Sequence, residues 1–220
     1  MFLHLKNILT ADELAHARSL LGETAPWVNG ARSAGEQAVQ HKNNQQLAQD
    51  SDAARELQAL VLQAVQRDAL FFSAALPKRI FNPLFNRYSG ATNFYGDHVD
   101  GAILHSRATQ QWVRTDISCT LFLADPDEYE GGELTVREHE GDKRIKLPAG
   151  DAILYPGSTV HQVAPVTRGA RLASFFWVES MVRSTEQRRL LFDMDMALLQ
   201  LRASAGERDP AVVRLTGTYH

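Results

Sequence analysis

The spacing of apolar residues predicts helices at both ends of the chain. In residues 51–76, apolar positions recur every three or four residues, and Pro77 ends that pattern. A shorter helix is predicted over residues 11–21, with Thr10 as its N-cap and Glu13 completing a capping box. A helical spacing returns from Val182 to Leu201, and the tail after Ala203 has little pattern.

Between these helical parts the period changes to that of β-strands. After a short edge strand at Phe2–Ile8, the predicted strands are 80–88, a strand around residue 98, 116–124, 133–137, 143–147, 152–155, 160–164 and 171–178. Short strands with frequent turns predict an antiparallel sandwich or barrel. We therefore predict an α+β fold in three regions: helical support in residues 1–77, a β core in 78–180 and a helical C-terminal extension in 181–220.

Composition narrows the functional classes. The chain has 44% apolar and 22% charged residues, and a formal net charge of −3 gives no basic surface for nucleic acid. Cys119 is the only cysteine, which excludes an intramolecular disulfide and a thiolate zinc cluster. The N-terminus lacks the features of a signal peptide, and no apolar run is long enough to span a membrane. We expect a soluble cytoplasmic protein that binds neither nucleic acid nor membrane.

His98 and Asp100 are the first candidates for a chemical site. In an extended strand, residues i and i+2 point to the same face, so both side chains can reach one point in space. A third ligand has to come from elsewhere, and His161 is preferred because it enters a strand after a Pro-Gly turn. His105 and His139 are the rivals, although a loop and a charged hairpin tip surround them. Two imidazoles and a carboxylate suit Fe(II) and leave coordination positions open.

Arg171 is the candidate for binding an anion near such a metal. It begins an apolar strand, where a guanidinium is costly unless it is paired. A dicarboxylate cosubstrate would supply that pair through a bidentate contact. A structural salt bridge to Asp116 or Glu133 is the alternative. Arg168 lies in a turn and is expected to be exposed.

Two tyrosines precede the His-x-Asp pair and can line the same pocket. The hydroxyl of Tyr88 could help to bind the distal carboxylate, and Tyr95 could lie near the metal. Both residues could equally be core aromatics with satisfied hydroxyls. Phe175, Phe176 and Trp177 are more simply interpreted as core residues.

Four segments resemble the bacterial PKHD-type hydroxylases, which are Fe(II)- and 2-oxoglutarate-dependent dioxygenases of the prolyl-4-hydroxylase-like superfamily. The segments are RYSGATNFYGDHVD, TLFLADPDEYEGGEL, LPAGDAILYPGSTVHQVAPVTRGAR and FFWVESMVR. The resemblance implies a double-stranded β-helix (jelly-roll) core. It places iron on His98, Asp100 and His161, and the distal carboxylate of 2-oxoglutarate on Arg171. It also implies L-ascorbate as a reductant.

The expected activity is hydroxylation of an unidentified small-molecule or peptide substrate with O₂, coupled to decarboxylation of 2-oxoglutarate to succinate and CO₂. Fold resemblance alone does not make proline the substrate. The alternatives are a non-catalytic metal-binding jelly-roll that senses or stores iron, and a metal-dependent hydrolase. Neither alternative explains a buried arginine beside the metal ligands. The apolar spacing of the C-terminal helix fits packing on the sheet or a dimer contact, and a homo-oligomer is favoured.

Overall fold

The computed structural model describes residues 1–33, 41–106, 108–138 and 141–220. Within those ranges the chain folds into five α-helices, one short 3₁₀ helix and three antiparallel sheets. The helices are α1 (Ala11–Leu20), α2 (Asp52–Arg67), α3 (Ala69–Ala75), α4 (Thr185–Ala205) and α5 (Pro210–Tyr219), and the 3₁₀ helix is Gly30–Ser33. None of the helices in these ranges is both long and apolar enough to cross a membrane.

The strands lie mostly between residues 77 and 180, with four in the N-terminal part. They are β1 (Leu3–Leu5), β2 (Trp27–Asn29), β3 (Lys42–Asn43), β4 (Gln45–Leu47), β5 (Pro77–Ile80), β6 (Leu84–Ser89), β7 (Phe94–His98), β8 (Ile103–Ser106), β9 (Gln111–Arg114), β10 (Ile117–Phe122), β11 (Tyr129–Gly131), β12 (Leu134–Val136), β13 (Lys143–Ile145), β14 (Ala152–Pro156), β15 (His161–Val163) and β16 (Val166–Ser180).

Two of the sheets contribute to one cavity, and the third is a separate hairpin. The larger sheet has the order β1-β14-β10-β16-β6-β4-β2, and β5 and β11 also pair with β16. The smaller sheet has the order β13-β12-β15-β7-β3, and β8 pairs with β9. The predicted α+β class and the antiparallel pairing are confirmed.

The helix predicted over residues 51–76 is two helices, α2 and α3. Asp68 ends α2, and its carboxylate accepts a hydrogen bond of 2.6 Å from the amide of Phe71 to begin α3. Apolar spacing continues across the break, because both helices bury one face against the same core. The capping box of Thr10 and Glu13 is confirmed at the start of α1.

The structure also contains elements that the apolar spacing did not predict. Helix α5 lies in the tail that had little pattern, and it begins with Asp209 as N-cap and Pro210 in its first turn. The β8–β9 hairpin and the short strands β3 and β4 fall in segments for which no strand is predicted. These strands are only two to four residues long, which is too short for an alternating pattern to show.

The long strand β16 separates the hydrophobic core from the cavity. On one face, Phe176 and Val178 join residues of α2 and β10 in the main core. On the other face, Arg171, Phe175 and Trp177 line the cavity. Alternate residues of a strand point to opposite faces, so one strand serves both surfaces.

Gly131 holds β11 against the start of β16. Its φ is +71°, and a Cβ atom at this position would lie 2.0 Å from the carbonyl oxygen of Pro165. The close approach and the positive φ both require glycine.

Candidate active site

Adjacent strands of the smaller sheet bring the two histidines together. Strand β7 ends at His98, and His161 begins β15, where the two residues pair directly across the ladder. Their ring centroids are 4.2 Å apart. Asp100 follows β7 by two residues, and one ligand atom from each of the three residues lies within 4.8 Å of the others.

Three hydrogen-bond acceptors face one another in this cluster. The Nδ1 atom of His98 lies 2.8 Å from the carbonyl of Gly96, and that of His161 lies 3.0 Å from the carbonyl of Thr159. These contacts assign the ring protons to Nδ1. The Nε2 atom of each ring then carries no proton, and its lone pair is available to a ligand. The Nε2 atoms lie 3.8 Å and 3.6 Å from the carboxylate oxygens of Asp100, too far for hydrogen bonds.

A cation fits this arrangement better than a proton. Burial, together with the neighbouring imidazole of His161, lowers the pKa of His98 to about 4. The ring is therefore neutral near pH 7, which is the state that binds a metal. Two imidazoles and one carboxylate are the donor set of non-haem Fe(II) sites. The residues present can hold a divalent metal ion.

The carboxylate of Asp100 is oriented by two side chains of the larger sheet. The indole Nε1–H of Trp177 donates to Oδ2 at 2.8 Å, and the hydroxyl of Ser118 donates to the same oxygen at 3.2 Å. Phe81 and Phe175 contact the indole ring edge-on and fix its plane. The interpretation of Trp177 as a core residue was incomplete, because an apolar run gives no sign of what its indole N–H binds.

Replacing Trp177 with phenylalanine is expected to weaken metal binding by roughly tenfold. The substitution keeps a ring in place but removes the hydrogen bond to Asp100, and such supporting contacts are worth about 10–100-fold in metal affinity. Anaerobic titration with Fe(II) measures the effect. Trp27→Phe is the matched control, because it removes an indole hydrogen bond to the Gly22 carbonyl in another part of the fold. Equal affinities for both variants and the wild type would show that this contact does not tune the metal.

Arg171 is the largest fully buried side chain in the described residues, and it is only 1% exposed. Its Nε and Nη1 atoms have no hydrogen-bond partner there. Neither alternative salt bridge forms: Asp116 is bound by Arg114 and by the amide of Ser180, and no carboxylate of the described residues lies within 4.0 Å of Arg171. A buried guanidinium without a counter-ion is costly, and an anionic ligand would offset that cost.

The two candidate tyrosines occupy different places in the cavity. Tyr88 is buried and pairs with Arg171 across strands, with its ring centroid 5.4 Å from the guanidinium carbon. Tyr95 stacks on the ring of His98 with centroids 3.5 Å apart and an interplanar angle of 14°. Burial raises the pKa of both phenols. Tyr88 therefore lies beside Arg171, whereas Tyr95 packs on one histidine of the three-residue cluster.

The remaining sequence candidates lie elsewhere. His105 is exposed on β8, with its ring 4.9 Å from that of Trp112, and it does not belong to the three-residue cluster. His139 lies outside the described residues. Arg168 is exposed, as predicted, and it pairs with Glu130, but it lies within β16 and not in a turn.

Several polar residues that line the cavity were not singled out from the sequence: Lys42, Asn44, Gln46 and Asn86. The first three alternate on one short segment, so their side chains share a face. This alternation of polar residues is the only sign of a strand in the segment. The residues between them are not hydrophobic, so the pattern cannot be distinguished from that of a polar loop. The cavity volume of about 50 Å³ leaves room for more than a single water molecule.

Comparison with known proteins defines the class of this site. Residues 83–179 match the model of the 2OG-Fe(II) oxygenase superfamily, and residues 186–220 match the PKHD-type hydroxylase C-terminal domain. The chain is therefore an enzyme of the 2-oxoglutarate- and Fe(II)-dependent oxygenase class.

A PKHD-type hydroxylase of Polaromonas sp. is 60% identical over all of this chain and 96% of its own length. A PKHD-type hydroxylase of Variovorax paradoxus is 57% identical over all of this chain and 96% of its own length. The chain belongs to the PKHD-type hydroxylase family.

Solved structures show that the fold is shared more widely. A prolyl hydroxylase from Trichoplax adhaerens, solved with a peptide fragment of the hypoxia inducible factor oxygen degradation domain, superposes with a TM-score of 0.57. It is 16% identical and covers 86% of each chain. A prolyl-4-hydroxylase from Pseudomonas putida has a TM-score of 0.51 and 19% identity, covering 82% of this chain and 93% of its own. At these identities the likeness concerns the fold alone.

Proposed function

We propose that this enzyme hydroxylates a C–H bond of its substrate while converting 2-oxoglutarate and O₂ to succinate and CO₂. One oxygen atom enters the product R–OH and the other enters succinate, so the atoms balance without a further co-reactant. His98, Asp100 and His161 would hold Fe(II), which supplies the redox chemistry when bound. Arg171 would bind the distal carboxylate of 2-oxoglutarate.

The side chains of the protein contribute orientation and exclusion of water. Trp177 and Ser118 hold Asp100 in one orientation, so the metal would meet a fixed donor set. The buried guanidinium of Arg171 would select a cosubstrate with a second carboxylate and fix its direction in the cavity. Tyr95 covers one face of the His98 ring and shields it from solvent.

The unpaired burial of Arg171 carries this proposal. A metal-binding protein that senses or stores iron explains the three ligands, but it gives no reason to bury an uncompensated guanidinium in the same cavity. A metal-dependent hydrolase has the same difficulty. A dicarboxylate cosubstrate accounts for the cation and for the metal ligands together.

The deciding experiment is an anaerobic titration of the full chain with Fe(II) and then 2-oxoglutarate. We expect a weak visible charge-transfer band on adding 2-oxoglutarate, followed by succinate formation when air is admitted. A chain that binds iron but shows neither the band nor succinate formation is not a 2-oxoglutarate oxygenase. The hypothesis of a non-catalytic metal-binding protein would then replace the proposal.

The finer expectations from the sequence extend this proposal. We propose a jelly-roll core within residues 78–180, with the helical regions 1–77 and 181–220 as its supports. L-ascorbate would maintain the ferrous state, and the enzyme would act in the cytoplasm. A homo-oligomer and a small-molecule or peptide substrate also stay predictions.

A further inference from the structure

Two buried carboxamides line the same cavity as Arg171 and have no part in the site described above. Asn44 is 1% exposed and Asn86 is 7% exposed, and both line the cavity. Neither side-chain polar atom of Asn44 has a hydrogen-bond partner in the described part of the chain, nor does Oδ1 of Asn86. An unsatisfied buried amide costs free energy, so a ligand that satisfies it binds more tightly.

Asn44 occupies a special place in the fold, because it connects the two sheets. It is the single residue between β3, which pairs with β7, and β4, which pairs with β6. Its carbonyl accepts a hydrogen bond of 2.9 Å from the amide of Gly30, which fixes the backbone. Gln46 pairs with Asn86, so the antiparallel register places Asn44, two residues earlier, beside Tyr88.

The register also places these groups at the anion-binding end of the cavity. Tyr88 pairs with Arg171 on β16, so Asn44, Tyr88 and Arg171 form one row that runs from the β3–β4 junction through β6 to β16. The indole that orients Asp100 belongs to Trp177, six residues further along β16. The row therefore crosses β16 six residues before the tryptophan that binds Asp100.

The hydroxyl of Tyr88 is available to donate to a ligand. Its oxygen accepts a long hydrogen bond of 3.5 Å from Nδ2 of Asn86. Burial raises the pKa of Tyr88 to about 12. The charge of Arg171 and the nearby Asn44 amide, which does not meet hydrogen-bond geometry, act in the opposite direction. The phenol keeps its proton near neutral pH, and that proton has no acceptor among the hydrogen bonds of the described residues.

We propose that Asn44 is a further cosubstrate-binding residue, whose carboxamide joins Tyr88 and Arg171 in binding the distal carboxylate of 2-oxoglutarate. The inference rests on the proposed function. A carboxylate accepts about four hydrogen bonds, and this row offers four donors: Nε and Nη1 of Arg171, the Tyr88 hydroxyl and the Asn44 amide. Asn44 lies outside residues 83–179, the part that matches the oxygenase model. The N-terminal segment thus completes a site that the oxygenase region begins.

The test compares two ligands that differ only at the distal end. The affinities of the iron-loaded full chain for 2-oxoglutarate and for 2-oxopentanoate, which has a methyl group in place of the distal carboxylate, are measured anaerobically from the charge-transfer band. Asn44→Ala is expected to weaken 2-oxoglutarate binding about tenfold, the worth of one hydrogen bond to a charged group. Asn44→Asp should weaken it further by charge repulsion. Neither variant should change the affinity for 2-oxopentanoate.

Gly30 offers a second route to the same contact without altering a cavity residue. A Cβ atom at Gly30 would lie 1.8 Å from Oδ1 of Asn44, so Gly30→Ala must displace that carboxamide. We expect the same selective loss of 2-oxoglutarate affinity. Gly22→Ala is the matched control, because its Cβ atom would meet only the Ser19 carbonyl oxygen, at 4.0 Å.

The outcomes separate this inference from the proposed function. Equal losses for both ligands would make Asn44 a structural residue, and unchanged 2-oxoglutarate affinity in both Asn44 variants would remove it from the site. Either result overturns the inference alone. A wild-type protein that binds iron but not 2-oxoglutarate overturns the proposed function and the inference together.

Discussion

Arg171→Leu is expected to weaken 2-oxoglutarate binding by about a hundredfold or more and to leave iron binding intact. The substitution removes two charge-assisted hydrogen bonds, each worth about 1.5–3 kcal/mol. Anaerobic titration of the iron-loaded protein gives the affinity, and succinate formation in air gives the activity. Arg168→Leu is the matched control, because Arg168 lies on the same strand but is exposed and pairs with Glu130. A comparable loss in both variants would indicate a general effect of charge.

The same variant separates a binding role from a structural one. If Arg171 formed a structural salt bridge, Arg171→Leu would destabilise the ligand-free protein, because breaking a buried pair costs about 3–5 kcal/mol. The side chain has no such pair among the described residues, so we expect the ligand-free variant to be as stable as the wild type or more stable. Denaturant unfolding without 2-oxoglutarate measures this difference.

Ligand-dependent stability gives the complementary result. At a 2-oxoglutarate concentration a hundred times its dissociation constant, the iron-loaded wild type should gain about 2.7 kcal/mol, as linkage requires. Arg171→Leu should gain much less at the same concentration. A variant that is destabilised without ligand, yet gains as much as the wild type, would identify Arg171 as a structural residue.

The residues with distinctive chemistry could be found from the sequence because their spacing is informative. His98 and Asp100 lie two apart at the end of a strand, and the structure places both on one side of it with His161 on the neighbouring strand. Arg171 could be identified because a charged side chain at the start of an apolar strand is costly to bury without a partner. In each case a simple rule about strands or burial connected the sequence to the geometry.

The residues that the sequence did not single out act through contacts between distant segments. Trp177 lies in an apolar run, and its role depends on Asp100, 77 residues earlier, lying 2.8 Å from its indole nitrogen. Asn44 lies in a weakly patterned segment that becomes part of the cavity only when β3 and β4 join different sheets. Periodicity describes the faces of single elements, so it cannot show which elements meet.

The helical errors have a similar origin. The break at Asp68 does not interrupt the apolar spacing, because α2 and α3 bury residues in one core. Helix α5 has a clear start in Asp209 and Pro210, but its apolar face is small, and only Val212 is buried. The N-cap residues Asp68 and Asp209 indicate the starts of α3 and α5 better than the apolar spacing does, because N-cap residues mark helix ends directly.

His161→Ala is expected to reduce iron affinity by at least about a hundredfold and to abolish succinate formation. Only His98 and Asp100 would remain, and two protein ligands in a site shaped for three hold a divalent ion poorly. Fe(II) titration under anaerobic conditions measures the affinity, and Co(II) gives an independent spectroscopic reading of the donor set.

His105→Ala is the matched control for this prediction, because it removes a histidine that is close to the pair in sequence but exposed on β8. Its iron affinity should equal that of the wild type. If His105→Ala loses iron while His161→Ala retains it, the metal is bound locally by the His98–His105 segment. That outcome would also separate the metal from Arg171, because His161 lies on the sheet that closes the cavity opposite β16. If iron binding depends on His161 and 2-oxoglutarate binding depends on Arg171, the two ligands bind in one active site.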